Sequence, residues 1–256
     1  MLIIRPTQIE DFKKASLRTF EDDMVMTLRE YAPQHCRGIG EENVRRVIRL
    51  GLIRSAKYGF TNRGPVRFYL QLMFVLGSYF DSDPQLPIWV AELLRKVGGE
   101  DQMSRAKLLH EGILDYRTKV FGPKGSYAHR AVRNFRLTTT QPLRFTAENI
   151  VDGLLAEMTQ IYPERVSYVG REALKALVVE SIGVASKHSL ATLHGTATSC
   201  LLMFQLGHGC FEDPLYLWIF RTLADLSTED PDERAAKLEG KAVAYLELMI
   251  RRLDRS

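Results

Sequence analysis

Three groups of side chains in this sequence have types and spacings that could do chemistry. Asp81-Ser82-Asp83 sets two carboxylates one residue apart, a pair that could be drawn around a divalent cation. His194, Cys200, His208 and Cys210 gather in one region and could be imagined as a metal site, although their spacing fits no standard zinc pattern. His35-Cys36 is an adjacent pair after Pro33, and a cysteine nucleophile needs a histidine in reach.

Each group has a plainer structural reading. The Asp81-Ser82-Asp83 triplet belongs to LMFVLGSYFDSDP (Leu72–Pro84), which recurs as LMFQLGHGCFEDP (Leu202–Pro214) in the second half of the chain. The two stretches share seven residues of thirteen, where ordinary usage gives about one chance identity. The second stretch has Phe211 in place of Asp81 and keeps Asp213. Asp83-Pro84 and Asp213-Pro214 suit the N-cap and first position of a following helix. Cys200 falls in an apolar helical run, where free cysteine acts as a small hydrophobe. Neighbours in sequence do not face each other on a helix, but this pair follows Pro33 in an expected loop, and a histidine distant in sequence could still serve Cys36. No P-loop, GxGxxG, HExxH or GxSxG is present. A non-enzymatic chain is expected, with no catalytic residue, metal or cofactor.

A fourth group concerns binding. Between Tyr116 and Ala147 stand seven Lys/Arg and no Asp or Glu, while the chain as a whole carries 35 basic and 31 acidic residues, net +4. Without that stretch, 28 basic residues face 31 acidic ones, so the basicity is local. Arg117, Lys119, Lys124, Tyr127, Arg130, Arg133 and Arg136 are the candidate partner-binding residues. Basic and aromatic side chains together can hold nucleic acid or dock an acidic protein surface; a solvated linker is the plain alternative. No nucleic-acid-binding motif accompanies the charge, which makes a protein the expected partner.

The elements that must position these residues read as helices. Thr7 with Glu10 has the capping-box pattern, followed by apolar residues at helical spacing from Ile9 to Tyr31 and a stop at Pro33. A second helix starts near Glu41 and stops at Gly59. A third, capped by Thr61, is apolar at nine of the eleven positions from Val66 to Leu76, which predicts burial on every face; its counterpart, Thr196 to Leu206, has seven. A fourth follows Pro84, with Trp89, Leu93 and Leu94, against Trp218, Phe220 and Leu223 in the second half. A fifth runs from Gln102 to Lys119, matched by Asp232 to Leu253. Further matches at the offset that separates Leu72 from Leu202 (Asp22/Asp152, Pro33/Pro163, Gly40/Gly170, Glu42/Glu172) predict an all-α protein of two tandem, duplicated units. Each unit would hold about five helices, in residues 1–120 and 143–256, joined by a basic connector at 121–142 with Gly and Pro near its ends.

No apolar run approaches the roughly 18–20 residues of a membrane span. The first residues lack a secretory signal, and three cysteines make no disulfide framework. A cytoplasmic setting is the expectation.

The segments MLIIRPTQIEDF, VIRLGLIRSAKYGFTNRGPVRFYLQLMFVLG (Val47–Gly77) and FDSDPQLP (Phe80–Pro87) resemble a bacterial protein family encoded in type VI secretion effector loci, beside VgrG spike proteins, PAAR-domain tips and adaptor chaperones. The resemblance covers residues 1–97 and departs at Pro87-Ile88-Trp89, where the family more usually has Pro-Trp uninterrupted. It implies an accessory protein of effector delivery: first a co-adaptor that helps load an effector onto the spike, second an immunity protein that neutralises a toxin. It carries over no catalytic residue.

Overall fold

Punctuation by Pro, Gly and Asp cuts this chain into helices. The computed structural model describes residues 5–95, 101–225 and 228–253; among them it is all-helical, with thirteen α-helices and no strand. The first half holds α1 (Pro6–Tyr31), α2 (Pro33–Ile39), α3 (Glu41–Lys57), α4 (Arg63–Leu76), α5 (Ile88–Arg95) and α6 (Gln102–Tyr116). After α7 (Ser126–Thr139) come α8 (Ile150–Ile161), α9 (Pro163–Val169), α10 (Arg171–Lys187), α11 (Leu193–Leu206), α12 (Leu217–Leu223) and α13 (Pro231–Leu253). The bounds of α2, α3 and α4 recur in α9, α10 and α11 at one constant offset, Pro33 matching Pro163, Glu41 matching Arg171 and Arg63 matching Leu193.

Pro33 does more than end a helix. It opens α2, as Pro163 opens α9, because the first helical position needs no N–H and proline's fixed φ suits it. Each half therefore has one short helix more than the periodicity predicts. At the start of α1 the chain turns helical at Pro6 rather than after Thr7, and Gln8 Oε1 accepts from Arg5 N at 2.9 Å. Residues 1–4 and the side chains of Ile9 and Glu10 lie outside the described part. Thr61 does not cap α4. Its N–H and that of Asn62 donate to Gln102 Oε1 on α6 at 2.7 and 2.8 Å, so a neighbouring helix supplies the acceptor. Thr192 does cap α11, its Oγ accepting from Gly195 N at 2.9 Å.

The expected burial of the two central helices is reversed. α4, the more apolar, leaves Val75 39 % exposed, whereas every residue of α11 from Gly195 to Phe204 is buried. α8, α10 and α13 all pack on α11, and its polar members find partners inside: Ser199 Oγ donates to Gly195 O at 2.8 Å and Thr198 Oγ to Glu239 Oε1 at 2.9 Å. What covers a helix decides its burial, and polar groups are tolerated once hydrogen-bonded.

The connector is also folded rather than loose. A single π-turn (Arg117–Phe121) leads into α7, whose Ala131 and Phe135 are buried against α8 and α13. Asn134 Nδ2 donates to the carbonyls of Gln160 and Ile161 at 3.0 and 3.2 Å, satisfying the open end of α8. Buried apolar side chains form one continuous cluster, from Met24 to Leu246, that runs through both halves.

α3 and α10 end alike. Phe60 N donates to Ser55 O at 3.1 Å and Gly59 N to Ala56 O at 3.0 Å, with Gly59 at φ +70°. In α10 the same bonds run from Leu190 and Ser189, but Ser189 sits at φ +57°, where a Cβ crowds the backbone. Ser189→Gly is expected to stabilise the protein by about 1 kcal/mol, read as a higher urea midpoint at unchanged slope.

Candidate functional site

The two repeated stretches meet each other. α4 ends at Gly77 (φ +92°, ψ 153°) and α11 at Gly207 (φ +99°, ψ 150°), a region open essentially to glycine alone. The two glycines lie against each other: a Cβ on Gly77 would stand 2.9 Å from Leu206 O, and one on Gly207 3.0 Å from Leu76 O. Beyond them the chains exchange hydrogen bonds. Asp213 accepts from Ser78 N and Ser78 Oγ, both at 2.6 Å, and from Leu215 N at 2.9 Å in its own turn. Asp83 accepts from His208 N at 2.9 Å and from Gln85 N at 2.9 Å. Each aspartate thus caps its own turn and ties down the opposite one. Asp213 opens a short 3-10 turn (Pro214–Tyr216) as its cap; Asp83 caps a turn, and α5 starts only at Ile88, a correction to the expected cap of an α-helix.

This placement separates Asp81 from Asp83. Asp81, also buried, takes Arg54 Nε at 2.9 Å, and the Arg54 guanidinium lies over Tyr79 at 4.5 Å. The carboxylates therefore have separate, complete sets of partners, and they do not share a cation site. Residues that differ between the two stretches fit one another: a Cβ on Gly209 would fall 2.5 Å from the Tyr79 ring. Ser78, His208 and Gly209 fall where the two stretches differ in sequence, and His208 serves here as a partner of the crossed turns and not as part of a His/Cys metal cluster. Comparison of the two stretches at their unequal letters was the available signal.

The histidines and cysteines scatter. His194 Nε2 meets Glu239 Oε2 at 3.1 Å; His208 Nδ1 meets Glu180 Oε1 at 2.8 Å and its Nε2 meets Ser82 Oγ at 3.0 Å. Cys200 and Cys210 are fully buried, and burial pushes the Cys200 thiol up to about 12. Among the described residues no three His, Cys, Asp or Glu side chains converge as a metal site would need. Cys36 Sγ donates to Leu28 O at 3.3 Å, and burial raises its thiol to about 11, far from a thiolate at neutral pH. His35 points instead towards Leu215 O, Phe74, Tyr216 and Tyr245, on the wall of a pocket of about 220 Å³ between α2, α12 and α13. Burial lowers its imidazole pKa, so it is neutral there.

The basic segment is on the surface, but part of its charge is used internally. Lys119 Nζ pairs with Asp115 at 3.0 Å, Arg136 Nη1 with Glu247 at 2.8 Å, and Arg130 with Glu164. Tyr127 lies under the Arg130 guanidinium, 5.2 Å from ring centre to Cζ. Arg117, Lys124 and Arg133 are exposed, and no ion pair joins them to the described residues. Along α7 the spacing of Arg130, Arg133 and Leu137 puts all three on one exposed edge, with Leu137 54 % exposed.

Compared with protein-family models, curated proteins and solved structures, the chain matches none. Among the described residues no helix is long and apolar enough to cross a membrane.

Two tests follow from the crossed turns. Gly77→Ala and Gly207→Ala are each expected to cost about 3 kcal/mol through backbone strain and overpacking. Gly183→Ala, mid-helix on α10 with open space around its Cβ position, should gain about 0.5–1 kcal/mol; urea unfolding separates the two outcomes. Burial alone would lower the His208 imidazole, but the Glu180 and Asp83 carboxylates outweigh it and hold the pKa above its ordinary value. That stabilisation is complete below the unfolded imidazole pKa and lost as pH rises through the raised folded one. A His208→Asn, Glu180→Gln double-mutant cycle should give a coupling of about 0.5 kcal/mol near pH 5.5, screened by the exposure of Glu180, and none near pH 9.

Proposed function

We propose that this chain is a non-enzymatic accessory protein of type VI secretion effector delivery, a co-adaptor that binds an effector or its adaptor in the cytoplasm. The observation that carries the binding role is the exposure of Arg117 and Lys124 ahead of α7 and of Arg133 along it, one turn from exposed Leu137. Cations with an apolar neighbour suit an acidic protein partner, whose charge would speed encounter while Leu137 buries area on contact. The secretion setting rests on the resemblance of residues 1–97.

Two tandem copies of one helical unit are part of the same reading. The equal bounds of α2–α4 and α9–α11 and the crossed Asp83 and Asp213 contacts support it. A two-copy scaffold with a helix between the copies offers that helix as a surface without a counterpart among the described residues.

Co-purification with the products of the neighbouring genes tests the proposal. An effector, adaptor or spike component should be retained, and Arg117→Glu with Lys124→Glu and Arg133→Glu should weaken its binding about tenfold at unchanged circular dichroism. Retention of none of these by the native chain defeats the reading. Loss of secretion from healthy cells on deletion supports the co-adaptor; self-intoxication, cured by removing the toxin, would replace it with an immunity protein.

A further inference from the structure

A guanidinium set in a pocket wall, its Nε enclosed and without a protein partner, calls for an explanation, because withdrawing a charged group from water is costly. Arg165, on α9, is only 8 % exposed. Among the described residues it makes no hydrogen bond or ion pair: its Nε is enclosed without an acceptor, and its Cζ lies 5.3 Å from the centre of the Phe204 ring. It lines a pocket of about 150 Å³ between α4, α6, α7, α9, α11 and α13. A second unanswered donor stands in the same wall, the buried Nε2 of Gln205. The carboxylates of the crossed turns do not answer either group, since Asp83 and Asp213 are taken up by Gln85, His208, Ser78 and Leu215. Burial pushes the phenols of Tyr116, Tyr162 and Tyr216 up and Arg165 works against it at all three, so their hydroxyls lie within its field.

The matching position in the first half, on α2, is His35, which lies edge-on to Phe74 as Arg165 lies over Phe204. There the ring is neutral, with Leu215 O 3.4 Å from its Nε2. A permanent charge has been placed in one of two matching environments; the pocket beside His35 also has an open donor, the buried Nε1 of Trp218, but no cation faces it from α2.

The chemistry selects the ligand. A guanidinium presents a fork of N–H donors that matches the two oxygens of a carboxylate. One cation, one amide and walls of aliphatic and aromatic side chains favour a single negative charge; the second charge of a phosphate dianion would have no counter-charge. At roughly 30 Å³ per water the pocket holds about five waters' worth of volume, enough for a carboxylate with a few carbons. Val75, 39 % exposed, and half-buried Val132 form a rim between α4 and α7 through which it could pass.

The geometry points to a binding site for a small monocarboxylate, its oxygens on Arg165 and Gln205 Nε2 and its carbon chain towards Val75 and Val132. The inference does not rest on the secretion role, although the pocket shares α7 with the proposed partner surface through Ala128 and Val132. Titration of the full chain with butyrate, followed by calorimetry and by thermal unfolding, tests it. Saturable one-to-one binding with a rise in Tm is expected; Gln205→Leu should weaken it severalfold, and Arg165→Met should abolish it. Without butyrate, Arg165→Met should unfold at the same temperature or higher, because it removes an unpaired buried charge. If Arg165→Met fails to fold, Val132→Trp, which fills the rim and leaves the guanidinium in place, must abolish binding on its own. Absence of saturable butyrate binding, binding that survives Arg165→Met or Val132→Trp, or saturation by inorganic phosphate in preference to butyrate each overturns the assignment.

Discussion

The close passage of two backbones at Gly77 and Gly207 joins the two halves of the chain, and the turns around it depend on it. Two buried helices end there, and each leaves open carbonyls and following N–H groups in a region without water. Asp83 and Asp213 resolve this by serving two turns each. Burial pushes the Asp213 carboxyl above its ordinary range, against the Ser78 and Leu215 donors that favour its charged form. The pockets walled by His35 and by Arg165 both draw on the turns that follow, through Leu215 and Tyr216.

Pairs of matched positions show how one packing problem takes two chemical solutions. Arg54 and Asp81 form an ion pair at the edge of the crossing, while the matching positions in the second half hold Val184 and Phe211. Replacement of a buried ion pair by apolar residues is often neutral or favourable, so neither solution is required by the fold. His35 and Arg165 are a second such pair, one neutral and one charged.

The helical class, the recurrence between the halves and the glycine that ends α3 were legible because they depend on local periodicity and on positive φ at fixed places. The extra helices α2 and α9 were hidden, since proline marks both an end and a beginning. Burial of α4 and α11 was misjudged because composition does not say how many helices cover another; α11 has α8, α10 and α13 around it. The aspartates were legible as caps but not as cross-links, their second partners standing in the other half of the chain. Of the basic residues, sequence showed the cluster and not the internal pairing of Lys119, Arg130 and Arg136. Arg165 gave no local signal at all: one arginine in a short helix is unremarkable until its surroundings are known.

The fit of Tyr79 into the space left by Gly209 gives the crossing a direction. A segment bearing Tyr79 cannot face its own duplicate, because two rings would contend for room that a hydrogen atom now leaves free. Two segments bearing Gly209 would meet across a void, and voids in a packed interior cost stability. Only the unlike combination closes. The first half thereby selects a second half over another molecule's first, so contacts between like halves of crowded chains are disfavoured.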